Sequence, residues 1–203
     1  MDFRKAFDSV PHEVILLKLA KSGADAATCR LVRTFLKDHT AILGMDIEEI
    51  KILCGVLQGG ILSPLFFDLF IDDLPNKELG EEHGMLLGLL IIAFLLYADD
   101  TILISGSAEG LQGLLTPSYH WALENGMDFH PGKCSVMVLG GNRPPTRKRP
   151  NFYLDPEKPE TKIAYVKHSV YLGVELSSRT HIQRGAGEVR KMVQNLAPLM
   201  NGR

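Results

Sequence analysis

One run of twelve residues, FLLYADDTILIS (94–105), limits what this chain can become more than any other. Two apolar arms flank a pair of adjacent carboxylates, Asp99 and Asp100. Burying a carboxylate is costly, and two neighbouring carboxylates repel each other, so the pair is excluded from the middle of a packed strand. Apolar arms around a polar break read as a β-hairpin whose turn carries the acids. Aspartate is common in turns for conformational reasons alone. A divalent metal ion, which prefers hard oxygen ligands, is the other explanation. It would draw in a further carboxylate from a neighbouring strand, for which Asp2 and Asp8 are the early candidates.

The longest near-apolar run, MLLGLLIIAFLLYA (85–98), ends on these acids. It is shorter than the roughly 18–20 residues that span a bilayer, so it reads as a buried strand with a preceding apolar segment. No membrane partner is expected. Asp2, Arg4 and Lys5 leave no signal-peptide pattern at the start. Cys29, Cys54 and Cys134 lie far apart, with neither disulfide-framework nor metal-ligand spacing, which fits a reducing, intracellular setting. The chain of 203 residues is long enough for one substantial core. Its net charge of −2 does not announce a nucleic-acid partner, although a total misses any local basic groove.

The periodicity predicts a short helix in VPHEVILLKLAKSG through Val14 and Leu17, stopped by Gly23. A second helix is expected over 24–39, with Leu31 and Phe35 on its apolar side and Asp25 at its start. Residues 40–57 read as a hairpin with arms at 42–47 and 49–56. GVLQGGILSPLFFDLFIDDLP (55–75) reads as a glycine-rich turn entering a helix at Ser63-Pro64, with Leu65, Phe66, Leu69 and Phe70 buried. Residues 76–84 read as loop, and 86–105 as the hairpin that carries the acids. A helix is expected up to Gly126, weakened by Gly110, Gly113 and Pro117, and a strand over 133–140. Residues 141–150 form a connector, 162–178 hold a strand pair, and 181–199 form a helix. Arg143, Arg147, Lys148 and Arg149 make the densest basic run, suited to a phosphate backbone or to a solvated loop.

Several blocks together resemble one family. YADD between apolar arms is similar to the catalytic hairpin of reverse transcriptases. DFRKAFDSVPH (2–12) resembles the first catalytic motif of the non-long-terminal-repeat, or LINE-type, retrotransposon enzymes. GVLQGGILSPLFFDLFIDDLP, WALENGMDFHPGKCSVMVLG (121–140) and YLGVELS (171–177) follow in the family's order. A group II intron or bacterial retroelement type is the weaker match.

The resemblance implies an α+β palm, an antiparallel sheet backed by helices, over residues 1–178, with the start of a thumb or a C-terminal helix at 179–203. The family's fingers lie before the first motif, so the chain is expected to be a fragment whose activity is impaired. The implied reaction is RNA-directed DNA polymerisation with two Mg²⁺ ions, or Mn²⁺ in their place. Its implied partners are an RNA or DNA template, a primer strand and deoxynucleoside triphosphates. Asp2, Asp99 and Asp100 match the metal-binding acids, and Asp8 a supporting acid. Lys133 matches a lysine that donates a proton to pyrophosphate or simply neutralises its charge. Phe7 matches the ring that excludes a 2′-hydroxyl, and Gln58 and Gly59 match the nucleotide pocket. Tyr171, Leu172 and Gly173 match the primer grip. Gly60 stands where the family usually has serine, which is expected to loosen the turn. His130 stands where it usually has asparagine, and its ring could keep a polar contact. Two alternatives are an inactive relic and a nucleic-acid-binding module without catalysis. Nuclear action follows from the retrotransposon lifestyle alone.

Overall fold

The computed structural model describes residues 1–37, 40–43, 48–51, 54–57, 59–139 and 149–177. The described chain is α+β, built of helices and mostly antiparallel strand pairs. It divides into two compact units, Met1–Cys134 with Phe152–Ile163, and Ser135–Asn151 with the remainder.

The first unit opens with a short helix α1 (Ala6–Ser9), followed by α2 (His12–Lys21) and α3 (Ala26–Lys37). Gly23 takes φ +91° after α2, and the Asp25 carboxylate accepts from the Thr28 amide at 2.7 Å at the start of α3. Strands β1 (Thr40–Leu43) and β2 (Glu48–Lys51) form the expected hairpin. Helix α4 (Ser63–Ile71) begins at Ser63-Pro64 as expected.

The buried stripes differ from those read in the sequence. Helix α2 buries His12, Ile15 and Leu16, and leaves Leu17 out. Helix α3 buries Val32 and Leu36, while Leu31 is 71% exposed. Helix α4 buries Ser63, Phe66, Phe67, Phe70 and Ile71, while Leu65 faces out. Two adjacent apolar stripes satisfy a 3.6-residue period in α3 and α4, so the packing partner chooses between them. One clasp fixes that choice for α2 and α4. Lys18 donates to the Phe70 carbonyl and to Asp73 at 2.5 Å, with its ammonium over the Phe70 and Trp121 rings. The Trp121 indole donates to the same Asp73 carboxylate at 2.9 Å.

Residues 76–84 form a helix, α5 (Lys77–His83), rather than a loop. The Asn76 side chain accepts from the Leu79 amide, satisfying a helix-start donor. The run before the acids is likewise not a buried strand. It forms its own hairpin, β3 (Met85–Leu87) with β4 (Leu90–Ile92), and Leu89 at its tip is 99% exposed. The acid hairpin is β5 (Phe94–Tyr97) with β6 (Asp100–Leu103). Helix α6 (Ala108–Glu124) is continuous through Pro117. A Cβ at Gly113 would lie 2.6 Å from the His83 ring, so this glycine lets α5 and α6 approach each other.

Strand β8 (Phe152–Tyr153) pairs antiparallel with the start of β9 (Lys162–Tyr165). The loop between them, with a 3₁₀ turn at Pro159–Thr161, encloses Asp155, whose carboxylate accepts from the Glu157 amide. Lys158 sits 3.2 Å from that carboxylate and His120 3.8 Å.

In the second unit, β7 spans only Ser135–Val136 of the strand expected over 133–140, and runs parallel to the end of β9. Strands β10 (His168–Tyr171) and β11 (Val174–Ser177) make the expected strand pair. Arg149 lies over the Tyr165 ring. Arg143, Arg147, Lys148 and the helix expected over 181–199 lie outside the described residues.

Two outcomes follow. Gly55 takes φ +92°, and a Cβ there would meet the Asp8 carbonyl oxygen at 2.8 Å. Gly55→Ala should therefore lower unfolding free energy in urea by about 2 kcal/mol or more. The Glu157 amide, with Lys158 and His120, holds the Asp155 carboxyl below its ordinary range despite burial, which opposes the shift. Its contribution is full above the unfolded value of about 3.9 and is lost as pH falls through the lower folded value. Asp155→Asn should flatten stability below about pH 5 relative to the unmodified chain, as read by urea melts across pH.

Candidate active site

The first motif is held from two sides. On one side lies the glycine-rich segment. The Gly55 amide donates to Val10 and the Val56 amide to Phe7, each at 2.7 Å. The buried His12 ring donates to the Gly55 carbonyl at 2.7 Å. Sequence reasoning missed His12 and Gly55, because the contact joins residues 43 positions apart.

On the other side lies the segment after α6. Phe3 bridges Phe129 antiparallel, the Arg4 amide donates to the Asp128 carbonyl at 2.8 Å, and the His130 amide donates to the Asp2 carbonyl at 2.9 Å. The Asp2 amide points at the buried Cys134 sulfur at 3.4 Å. Burial pushes the Cys134 thiol up, against the pull of the Asp2 hydrogen bond, so it stays protonated at neutral pH. Lys133 Nζ stands 3.6 Å from the Asp2 carboxylate. One turn, 130–134, therefore grips the backbone of Asp2 and brings a cation to its side chain. His130 acts through its backbone. Its ring Nδ1 is buried without a partner among the described residues, so the ring does not supply the expected polar contact at that atom.

The hairpin comes next. Its register pairs Tyr97 with Asp100, leaving Ala98-Asp99 as a two-residue turn. Ala98 takes φ +49°, and Asp99 is not among the positive-φ residues. A positive φ at the first turn position alone is the type II′ pattern, which matches strand twist. Leu96 and the buried Thr101 share one face, and Tyr97 and Asp100 share the other. Asp99 and Asp100 are exposed, and neither carboxylate has a hydrogen bond or ion pair among the described residues.

The Met1 amine links the two pieces. It donates to the Thr101 carbonyl on β6, beside Asp2. Burial lowers its pKa, while Cys134, Asp2 and Asp100 pull it upward. The start of the first motif and the strand carrying Asp100 are therefore close neighbours. Among the described residues, however, no group of three or more His, Cys, Asp or Glu side chains is gathered for a metal.

Phe7 is half-buried and stacks on Phe67 with ring centroids 4.8 Å apart. The Asp8 side chain is exposed. Gly59 takes φ +86° and has open space where a Cβ would stand. Gln58 lies outside the described residues. The turn at Gly60 is tied rather than loose. Its amide donates to Leu57, as does the Ser63 hydroxyl, which occupies the space a Gly60 Cβ would need. In the second unit, Leu172 and Gly173 both take positive φ between Tyr171 and Val174, which makes a type I′ turn.

The profile of the family described as "Reverse transcriptase (RNA-dependent DNA polymerase)" matches residues 1–176. The chain is 30% identical to the Pol polyprotein of the R2 retrotransposable element of Popillia japonica over 98% of its own length and 34% of the relative's. It is 31% identical to that of Nasonia vitripennis R2, over 90% of this chain and 18% of the relative. The RNA-directed DNA polymerase of the mobile element jockey of Drosophila melanogaster is 30% identical, over 91% of this chain and 20% of the relative. The chain thus spans about a third or less of these relatives' length. It belongs to the reverse transcriptase family, as a relative of the Pol proteins of non-long-terminal-repeat retrotransposons such as R2 and jockey.

Proposed function

We propose that this chain carries the palm chemistry of RNA-directed DNA synthesis: templated addition of deoxynucleotides to a primer 3′-hydroxyl. The observation that carries the reading is the convergence of Asp2, Lys133 and the strand bearing Asp100 within one folded unit. The donor set suits Mg²⁺, being made of hard carboxylate oxygens. That ion is commonly held by one or two carboxylates plus substrate phosphates, so a site completed by the triphosphate does not require three preassembled acids. Asp2, Asp99 and Asp100 would hold the metal. When bound, Mg²⁺, or Mn²⁺ in its place, supplies charge stabilisation for the attacking and leaving oxygens.

The chain's own groups do the rest. Asp99 and Asp100 stand exposed, open to incoming cations. Lys133 reaches the Asp2 carboxylate, and from there it donates a proton to the departing pyrophosphate oxygen or balances its charge. The Phe7 ring presents its free side to the sugar and excludes a 2′-hydroxyl. Gly59, with no side chain, lets a nucleotide approach the backbone. The turn at Tyr171, Leu172 and Gly173 supports the primer end. Action inside the cell, at the nuclear genome, belongs to the same proposal and rests on kinship with retrotransposon proteins.

A second reading is a nucleic-acid-binding module without catalysis. The Asp2–Lys133 pairing favours it, since that pairing occupies a metal-binding acid. Primer extension on RNA and DNA templates with Mg²⁺ or Mn²⁺ separates the two. Extension by the unmodified chain is expected at an impaired rate, and Asp99→Asn should reduce it by a further factor of roughly a thousand or more with an unchanged melting temperature. Near-normal extension by folded Asp99→Asn would sink the catalytic assignment. Lys133→Met should lower kcat by about 10- to 100-fold with little change in KM, as single-turnover assays would show.

A further inference from the structure

Phe67 is fully buried, yet it holds the ring assigned to the nucleotide sugar. It lies in the middle of α4 with 0% exposure. Phe7 stacks on it at 4.8 Å and 21°. Phe3 meets it edge-on at 6.5 Å, and Phe3 itself stacks on Phe129 at 4.1 Å and 23°. Phe129, Phe3, Phe67 and Phe7 therefore form a continuous column. It runs from the segment that grips Asp2 to the half-buried ring beside the proposed nucleotide site.

The Phe7 backbone is pinned, since its carbonyl accepts from the Val56 amide. Rotation about its side-chain bonds is the freedom that remains. The flat face of Phe67 removes most of it, because a stacked ring can slide but cannot drop. A steric filter for a hydroxyl group depends on the height of its ring to a fraction of an ångström. We propose that Phe67 is a positioning residue for sugar selection. Through its stack on Phe7, supported by Phe3 and Phe129, it sets how strongly the chain rejects ribonucleotides, without contacting the nucleotide. This rests on the reading of Phe7 as the sugar filter.

The test measures selectivity as well as activity. Affinities for dGTP and GTP are measured by calorimetry on the full chain bound to a primer–template, alongside kcat/KM for incorporation of each. The unmodified chain should prefer dGTP, and Phe7→Val should abolish that preference. Phe67→Leu, which removes the flat support, should cut it by about 3- to 10-fold through tighter binding and faster use of GTP. Phe67→Tyr, which keeps the ring plane, should retain it. Urea melts identify folded variants. If Phe67→Leu does not fold, Phe67→Met, close in volume but without a plane, takes its place with the same expected loss.

If Phe7→Val loses selectivity while a folded Phe67→Leu or Phe67→Met keeps it, the positioning role is overturned and the filter reading stands. If Phe7→Val keeps selectivity, or the unmodified chain binds the two nucleotides equally, the filter reading falls and this inference falls with it.

Discussion

The antiparallel lock between residues 2–4 and 128–130 is the constraint on which the rest of the site depends. Three backbone contacts define it: the Phe3–Phe129 bridge, Arg4 to Asp128, and His130 to Asp2. An Arg4–Asp128 ion pair at 2.9 Å closes its outer edge. The contact between Asp2 and Cys134 spans 132 residues of sequence. Closing so long a loop costs chain entropy, which only the intervening core can offset. The acid at the start of the chain is therefore placed by the packing of the whole first unit. A local defect in α4 or α6 would displace it as surely as a change beside it.

Above and below this lock the chemistry divides. Below it lie Phe129, Phe3, Phe67 and Phe70, all buried. Above it lie carboxylates open to water. The paired acids of YADD pose an electrostatic problem only if they are buried, and both are exposed, Asp99 in the turn and Asp100 at the start of β6. Asp2 sits lower, and there Lys133 supplies the opposite charge. The site is thus graded: the acid nearest the core has a protein cation, and those at the tip have water.

Much of this layout was legible in the sequence, and the failures have identifiable causes. That a hairpin carries the acids followed from apolar arms around a polar break, although only Asp99 lies in the turn and Asp100 begins the second strand. The first four helices of ordinary length, α2, α3, α4 and α6, followed from periodicity. Which stripe each buries did not, because Leu31/Phe35 and Val32/Leu36 both fit a helical repeat and only a neighbour can choose between them. Helix α5 was hidden by its polar composition, although Asn76 at the cap position was a readable signal. The β3–β4 hairpin was hidden for the opposite reason. Gly88-Leu89 is a turn inside a run so apolar that it read as one segment. At the site, Asp2, Lys133 and the hairpin were nameable from motif order. The support from His12, Gly55 and Cys134 was not, since a contact between distant residues leaves no local pattern.

The two hairpin turns show how the backbone divides strain from function. The turn after Tyr171 places Gly173 at a left-handed position, where glycine carries no steric penalty, although Leu172 beside it takes φ +49°. The turn after Tyr97 has no glycine. Ala98 takes φ +49° where a type II′ turn ordinarily has glycine, at a cost of order 1 kcal/mol. Glycine would relax that strain and also free the tip to sample other turn geometries. With alanine the turn keeps a Cβ that narrows the backbone angles open to it. Beneath the turn, Leu96 pairs with the buried Thr101. A small, conformationally expensive residue between the tyrosine and the acids is what a chain needs when the aim of two exposed carboxylates matters more than the stability of the turn that carries them.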